Sequence, residues 1–188
     1  MNVELNELVR KLLRKYIIAI PRRRAFVDFL INENKENMVG VEIGSSYGEN
    51  ALDMLKNLSI KKLYLIDPYK PYEEENKVLI KHTKGYYVIK RRLEMFRDRV
   101  KIIPELSEKA VKSIQNNLDF VYVDGNHDYK FVKKDIELYW PKLKRGGIMG
   151  GHDFLAMHLG VCKAVIEFIT KKHVELHGDG IDWWVIKG

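Results

Sequence analysis

Residues 38–50, MVGVEIGSSYGEN, constrain the fold of this chain more than any other segment. The apolar run from Val39 to Ile43 contains one acidic residue and is typical of a strand buried on both faces of a parallel sheet. Beyond the glycines that follow, apolar residues recur at helical spacing, at Ala51, Leu52, Leu55 and Leu58. The segment predicts a strand, a glycine turn and a helix, so a ligand can approach bare backbone and the free N–H groups of the helix.

Two further apolar runs end in an acidic residue. Residues 63–67, LYLID, end at Asp67, and residues 118–124, LDFVYVD, end at Asp124. Asp67 follows the glycines by roughly 20 residues, where doubly wound folds place the carboxylate that binds a ribose diol. Because parallel strands end at one edge of a sheet, both acids are predicted to meet the glycine turn at a single ligand-binding edge.

Strand-like and helix-like segments alternate as far as residue 171, which predicts an α/β fold with a doubly wound, mostly parallel sheet. Residues 174–177 and 183–186 flank Gly178-Asp179-Gly180, a turn signal that predicts an antiparallel hairpin. This hairpin argues against a plain dinucleotide-binding fold. Further helices are predicted over 108–115, 159–171 and, with a break at Gly85, most of 73–97.

The first 36 residues are predicted to be a helical extension or cap on a single domain that spans residues 1–188. Residues 3–16 predict a basic amphipathic helix, and Arg22, Arg23 and Arg24 begin a second helix. Three roles stay open beside that of an ordinary docked helix. The extension would cover the active-site mouth, bind an acidic substrate, or pair with another subunit in a homo-oligomer.

Composition describes an ordinary globular chain, with 46% hydrophobic and 31% charged residues. No apolar run is long enough for a membrane span, and the first residues include Glu4 and Glu7 rather than the apolar run of a signal sequence. We therefore expect a cytoplasmic protein without a membrane partner. The lone Cys162 excludes an internal disulfide. The net charge of +7 fits either a nucleic-acid partner or a solvated surface rich in Lys and Glu, as in heat-adapted proteins.

These motifs resemble those of the class I methyltransferases that use S-adenosylmethionine. Glu42-x-Gly44-x-x-x-Gly48 is similar to their first motif, Asp67 to their ribose-binding acid, and Asp124-Gly125 to their fourth motif. VDGNHDY followed by KRGGIMGGHDF most resembles the O-methyltransferase group that includes macrolide-sugar and cephalosporin-pathway enzymes. The resemblance implies a Rossmann-like methyltransferase fold with a seven-stranded sheet.

The resemblance also implies a cofactor site. Glu42 and the Gly44 backbone would contact the methionine end of S-adenosylmethionine, and Asp67 would bind both ribose hydroxyls. Leu106 and Ser107 would border the adenine. The implied cofactor-binding residues are Glu42, Gly44, Ser46, Gly48, Asp67, Pro68, Leu106 and Ser107.

A metal site and a general base are implied by the same resemblance. Asp124, His152 and Asp153 stand where sugar-modifying relatives hold a divalent ion with three carboxylates, and here His152 replaces one of them. Oxygen ligands favour Mg²⁺, whereas an imidazole admits Mn²⁺, Fe²⁺ or Zn²⁺, so the ion stays open. The implied catalytic residues are His127 and Asp124. His127 lies three residues beyond Asp124, where some relatives place a base, and His152 is the alternative base in the absence of a metal.

The predicted function is S-adenosylmethionine-dependent O-methylation of a small hydroxylated acceptor such as a sugar or glycan. Ribose methylation of RNA is the first alternative, because of the net charge and the arginine cluster. A nicotinamide-dependent oxidoreductase on the same type of sheet is the second. A binding module without catalysis is the third.

Overall fold

A computed structural model describes residues 23–74, 77–79 and 84–188. The predicted helix over residues 3–16 lies outside these residues. In the described part, the strands are β1 (Met38–Ile43), β2 (Ile60–Ile66), β3 (Tyr72–Glu74), β4 (Lys77–Leu79), β5 (Val100–Ile103), β6 (Leu118–Val123), β7 (Leu143–Gly151), β8 (His177–Asp179) and β9 (Asp182–Ile186). The α-helices are α1 (Ala25–Asn32), α2 (Glu49–Asn57), α3 (Gly85–Arg92), α4 (Ser107–Ala110), α5 (Tyr129–Tyr139) and α6 (Leu159–Lys172).

Seven strands form one sheet in the order β5-β2-β1-β6-β7-β9-β8, and β3 pairs with β4 in a separate hairpin. The pairs from β5 to β7 are parallel, whereas β9 runs antiparallel to both β7 and β8. The predicted doubly wound, mostly parallel seven-stranded sheet with an antiparallel C-terminal hairpin is confirmed.

The strand register brings the predicted site residues to one edge of this sheet. Ile43 lies beside Ile66 and Val123, and Val123 lies beside Gly151. Hydrogen bonds between strands continue one residue beyond these pairs. The amides of Gly44, Asp124 and His152 each donate to a carbonyl of the neighbouring strand. The residues that follow β1, β2, β6 and β7 therefore line up along a single rim.

Helices cover both faces of the sheet, as the alternation of side chains along buried strands requires. One core layer joins Val41, Val121 and Met149 to α5 and α6. The other joins Leu63, Leu65, Phe120 and Tyr122 to α1, α2 and α3. Within the described residues, no helix is long and apolar enough to cross a membrane.

Several predicted boundaries are wrong. In its described residues, the stretch predicted as mostly helical over 73–97 begins as the β3–β4 hairpin and is α-helical over Gly85–Arg92 alone. The hairpin is anchored from outside, because Asn126 Nδ2 donates to the Glu73 carbonyl over 2.7 Å and the His127 amide donates to Glu74 Oε1 over 2.7 Å. Such tertiary contacts override local helix propensity. The predicted helix 108–115 is shorter, since α4 ends at Ala110 and continues as a 3-10 turn.

Candidate active site

A cavity of about 460 Å³ opens at the rim formed by the ends of β1, β2, β6 and β7. It falls within the roughly 300–1,000 Å³ usual for small-molecule sites. The structure brings nearly all of the predicted site residues to its wall: Glu42, Gly44, Ser46, Asp67, Pro68, Leu106, Ser107, Asp124, His127, His152 and Asp153. Gly48 is not one of the residues that line the cavity; it caps α2 in a left-handed conformation.

The glycine turn brings bare backbone against the next strand. Gly44 has φ +87°, and a Cβ there would lie 2.0 Å from the carbonyl oxygen of Asp124. Only glycine fits this approach without displacing the loop that carries Asp124. The turn therefore fixes the distance between two predicted parts of the site.

Asp67 holds this loop in place. Its Oδ2 accepts a hydrogen bond from the Ser46 amide over 2.9 Å, and its Oδ1 accepts one from the Tyr69 amide over 2.8 Å. Tyr69 in turn contacts the hydroxyl of Ser45 at 2.9 Å. Because each carboxylate oxygen has two lone pairs, Asp67 can tie the loop and still accept hydroxyl groups from the cavity.

Glu42 is a buried acid with one satisfied oxygen. Only 1% of the residue is exposed, and Oε1 accepts a hydrogen bond from Asn50 Nδ2 over 2.8 Å. Among the described residues, Oε2 has no hydrogen-bond partner. Burial raises the pKa of Glu42 to about 8, although the Asn50 hydrogen bond opposes this rise. A cation in the cavity would satisfy the remaining oxygen. Asn50 lies in the first turn of α2, and no sequence motif indicated it.

Arg24 enters the site from outside the glycine and acid motifs. Its Nη2 lies 3.1 Å from Asp124 Oδ2. Arg24 precedes α1, and the next turn is anchored because the Phe26 amide donates to the buried Asp182 Oδ2 over 2.9 Å. Burial raises the pKa of Asp124 to about 7, and the Arg24 charge opposes this rise. The sequence indicated a basic cluster here but not its partner.

His127 lies between two carboxylates. Its Nε2 is 2.9 Å from Asp153 Oδ2, and its Nδ1 is 3.2 Å from Glu74 Oε1. Burial lowers the pKa of His127, but the hydrogen bonds with Asp153 and Glu74 outweigh burial and raise it to about 10. The ring is therefore a cation at neutral pH, and in this arrangement it offers no lone pair to a substrate proton.

His152 has a different environment. Its Nδ1 lies 3.0 Å from Asp182 Oδ1, and Asp182 is 4% exposed. Asp182 accepts hydrogen bonds from the Tyr122 hydroxyl at 2.8 Å and the Phe26 amide. A carboxylate at Nδ1 orients an imidazole so that Nε2 can accept a proton. No sequence motif indicated Asp182, which lies 30 residues from its partner.

The predicted adenine wall is reinforced from α5. The hydroxyl of Ser107 donates to Asp135 Oδ1, and the Tyr139 hydroxyl donates to the Ser107 carbonyl over 2.9 Å. Leu106 is 47% exposed beside them, and Phe131 also lines the cavity. The wall therefore combines apolar surface with hydrogen-bonding groups, and sequence analysis identified only its α4 side.

The predicted metal ligands do not form one ligand set. Asp124 is paired with Arg24, His152 with Asp182, and Asp153 with His127. Among the described residues, the group whose ligand atoms all lie within 4.8 Å of one another is His127, Asp153 and His158. A divalent ion held jointly by Asp124, His152 and Asp153 does not fit this arrangement.

A family described as "Methyltransferase domain" matches residues 41–154, from β1 to the end of β7. The chain is also 29% identical over 121 residues to Uncharacterized protein R132 of Acanthamoeba polyphaga mimivirus. That alignment covers 64% of this chain and 53% of the viral protein, so the chain spans about half the length of this relative.

Solved structures share the fold. A Staphylococcus aureus protein described as a caffeoyl-CoA O-methyltransferase superposes with a TM-score of 0.66 at 17% identity, covering 95% of this chain and 91% of that one. A Streptococcus mutans protein, described as a methyltransferase and solved in complex with S-adenosylhomocysteine (SAH), gives a TM-score of 0.65 at 15% identity. This match covers 86% of this chain and 95% of that one. At such identities the likeness concerns the fold alone.

Proposed function

This chain belongs to the class I S-adenosylmethionine-dependent methyltransferases, and from that premise we propose that it methylates a hydroxyl group of a small acceptor such as a sugar or glycan. The observation that carries the proposal is the His152–Asp182 pair, because His152 lines the same cavity as the cofactor residues and a carboxylate at its Nδ1 suits proton removal at Nε2. Family membership also favours methyl transfer over the nicotinamide-dependent oxidation that the sequence left open.

The cofactor is proposed to bind across the glycine turn. Its ribose hydroxyls would donate to Asp67, and its ammonium group would approach the unpaired Oε2 of Glu42. Adenine would lie against Leu106 beside Ser107. Binding at three points fixes the direction of the S–CH₃ bond, and alignment is the main requirement of an in-line displacement.

His152 is proposed as the base. The acceptor oxygen attacks the methyl carbon, the O–C bond forms, the S–C bond breaks, and the sulfonium becomes the neutral thioether of SAH. The acceptor proton passes to Nε2 of His152, while Asp182 stabilises the resulting imidazolium. His127 is not assigned this role, because its two flanking carboxylates keep it protonated.

The charges of the cavity favour an acceptor without phosphates. Among the described residues, Arg24 is the sole Lys or Arg on the wall, against seven carboxyl groups: Glu42, Glu49, Asp67, Glu105, Asp124, Asp135 and Asp153. Carboxyl oxygens accept hydrogen bonds from sugar hydroxyls, and those carboxyl groups that are ionised repel a nucleic-acid backbone. These charges support a hydroxylated small molecule over RNA, despite the net charge of +7.

An acceptor screen tests this proposal. Purified protein is incubated with methyl-labelled S-adenosylmethionine and with monosaccharides, oligosaccharides or total RNA, and label transfer is followed by mass spectrometry. We expect an O-methylated sugar or glycan. Label on RNA ribose, with binding that falls steeply as salt rises, would establish the alternative instead.

Cofactor binding is expected to release about one proton at pH 7, because Glu42 is mostly protonated below its pKa of about 8 and a nearby cation favours its charged form. Calorimetry of S-adenosylmethionine binding in buffers of different ionisation enthalpy measures this release. Glu42→Gln keeps the shape of the side chain and should release no proton. Equal release from both proteins would show that Glu42 does not face the cofactor's charge.

The organisation of the chain is proposed as a single domain over residues 1–188 with residues 1–36 as a cap. Arg24 supports the cap, because it reaches the cavity wall just before α1.

A further inference from the structure

His127, Asp153 and His158 form a cluster beside the proposed acceptor site. The ligand atoms of all three lie within 4.8 Å of one another. Asp153 contacts both histidines, with Oδ2 at 2.9 Å from His127 Nε2 and Oδ1 at 3.9 Å from His158 Nε2. The two imidazole rings are 4.3 Å apart between centroids. His127 and Asp153 both line the cavity, so an ion held here would face it.

The backbone is bent to bring the cluster together. Asp153 has φ +59°, which is uncommon for a residue other than glycine. Two tight turns follow, in which the Leu155 amide donates to the Asp153 carbonyl and the His158 amide donates to the Leu155 carbonyl, each over 2.9 Å. Strained backbone of this kind often occurs at functional sites.

Gly160 allows the close approach of the two histidine segments. A Cβ at this position would lie 2.3 Å from the carbonyl oxygen of His127 and 2.6 Å from the Tyr129 amide nitrogen. The first turn of α6 therefore packs directly against the loop that carries His127. Any larger residue would move His158 away from the other two side chains.

Glu74 supports the cluster from behind. Its Oε1 accepts the His127 amide hydrogen and lies 3.2 Å from Nδ1, so Nε2 is the nitrogen that faces Asp153. A carboxylate behind the ring is the usual support of a metal-binding histidine, because it fixes the tautomer and raises the basicity of the ligand nitrogen.

We propose that His127, Asp153 and His158 bind a divalent transition-metal ion at the acceptor end of the cavity. Two imidazoles and one carboxylate favour Zn²⁺, Co²⁺, Fe²⁺ or Mn²⁺ over Mg²⁺, which prefers oxygen ligands. The ion replaces the proton now shared between His127 and Asp153, and that proton is released to solvent. Three protein ligands leave coordination positions for an acceptor hydroxyl.

This set differs from the one that the sequence implied, since the two share only Asp153. Asp124 neutralises Arg24 and His152 pairs with Asp182, so neither is needed as a ligand. Ion binding at the cluster does not depend on methyl transfer. A contribution of the ion to acceptor binding does rest on the proposed function.

A cobalt titration tests the site. Tag-free, chelator-treated protein is titrated with Co²⁺, and the visible d–d absorption reports the ion's ligand environment. We expect one equivalent to bind, and His158→Ala to weaken binding by about 100-fold, since loss of outer-shell support alone already costs 10- to 100-fold. Magnesium should not compete at the same concentrations.

Three further measurements decide the assignment. His173 is an exposed histidine with a left-handed backbone conformation, which asparagine tolerates. The variant His173→Asn should therefore leave the Co²⁺ affinity unchanged. Asp124→Asn should also bind Co²⁺ with wild-type affinity. Loss of Co²⁺ binding in this variant would assign the ion to the ligand set that the sequence implied and overturn the proposal. SAH affinity should be the same in His158→Ala as in wild type, which shows that the variant is folded. Wild-type protein that binds SAH but no Co²⁺ would overturn the metal site and leave the proposed function standing.

Discussion

Replacing His152 with glutamine is expected to lower the rate of methyl transfer by about 100- to 10,000-fold, the usual contribution of a positioned general base. Glutamine can place an amide N–H near Asp182, but its amide does not accept a proton near neutral pH. The measurement is kcat with the acceptor identified in the screen, at saturating S-adenosylmethionine. SAH affinity, measured by calorimetry, should stay close to that of wild type because His152 is assigned to the acceptor side.

Two variants make this result specific. His173→Asn, which is remote from the cavity, should retain wild-type kcat. Asp182→Asn should lower kcat without a matching rise in KM, because an amide at this position no longer stabilises the imidazolium. Asp182 also accepts hydrogen bonds from the Phe26 amide and the Tyr122 hydroxyl. The thermal unfolding of the Asp182→Asn variant must therefore be measured in parallel. A His152→Gln enzyme with wild-type kcat would remove this histidine from the mechanism.

Replacing Asp67 with alanine is expected to raise the SAH dissociation constant by about 100-fold or more. The variant would lose the proposed contacts to two ribose hydroxyls, and hydrogen bonds to a charged group contribute about 1.5–3 kcal/mol each. A change of about 1.4 kcal/mol is tenfold in affinity. The carboxylate also holds the Ser46 and Tyr69 amides, so part of the loss comes from a loosened glycine turn.

Controls separate these two contributions. Asp98→Ala removes an exposed carboxylate, 95% accessible, and should not change SAH affinity. The nucleoside analogue 2′-deoxy-SAH lacks one ribose hydroxyl. Wild type should bind it more weakly than SAH, whereas Asp67→Ala should bind the two compounds with equal affinity. Equal weakening in both proteins would mean that Asp67 acts only through the loop and does not contact the ribose.

The sequence determined the strand ends of the site. Val39–Ile43 and the runs ending at Asp67 and Asp124 are local patterns, and a parallel sheet places the ends of its strands on one edge whatever the rest of the chain does. The glycine turn was equally local, because the φ of +87° at Gly44 is a requirement of a single residue.

Only the tertiary structure decided which charges meet. Arg24 contacts Asp124 across 100 residues of sequence, and Asp182 contacts the Phe26 amide across 156. Glu74 reaches His127 because residues 72–74 form a strand where the local pattern predicted a helix. The spacing of apolar side chains and the types of residue that follow each strand depend on near neighbours along the chain, so both can be inferred from sequence. Ion pairs and proton positions depend on distances between remote segments, and only packing sets those distances.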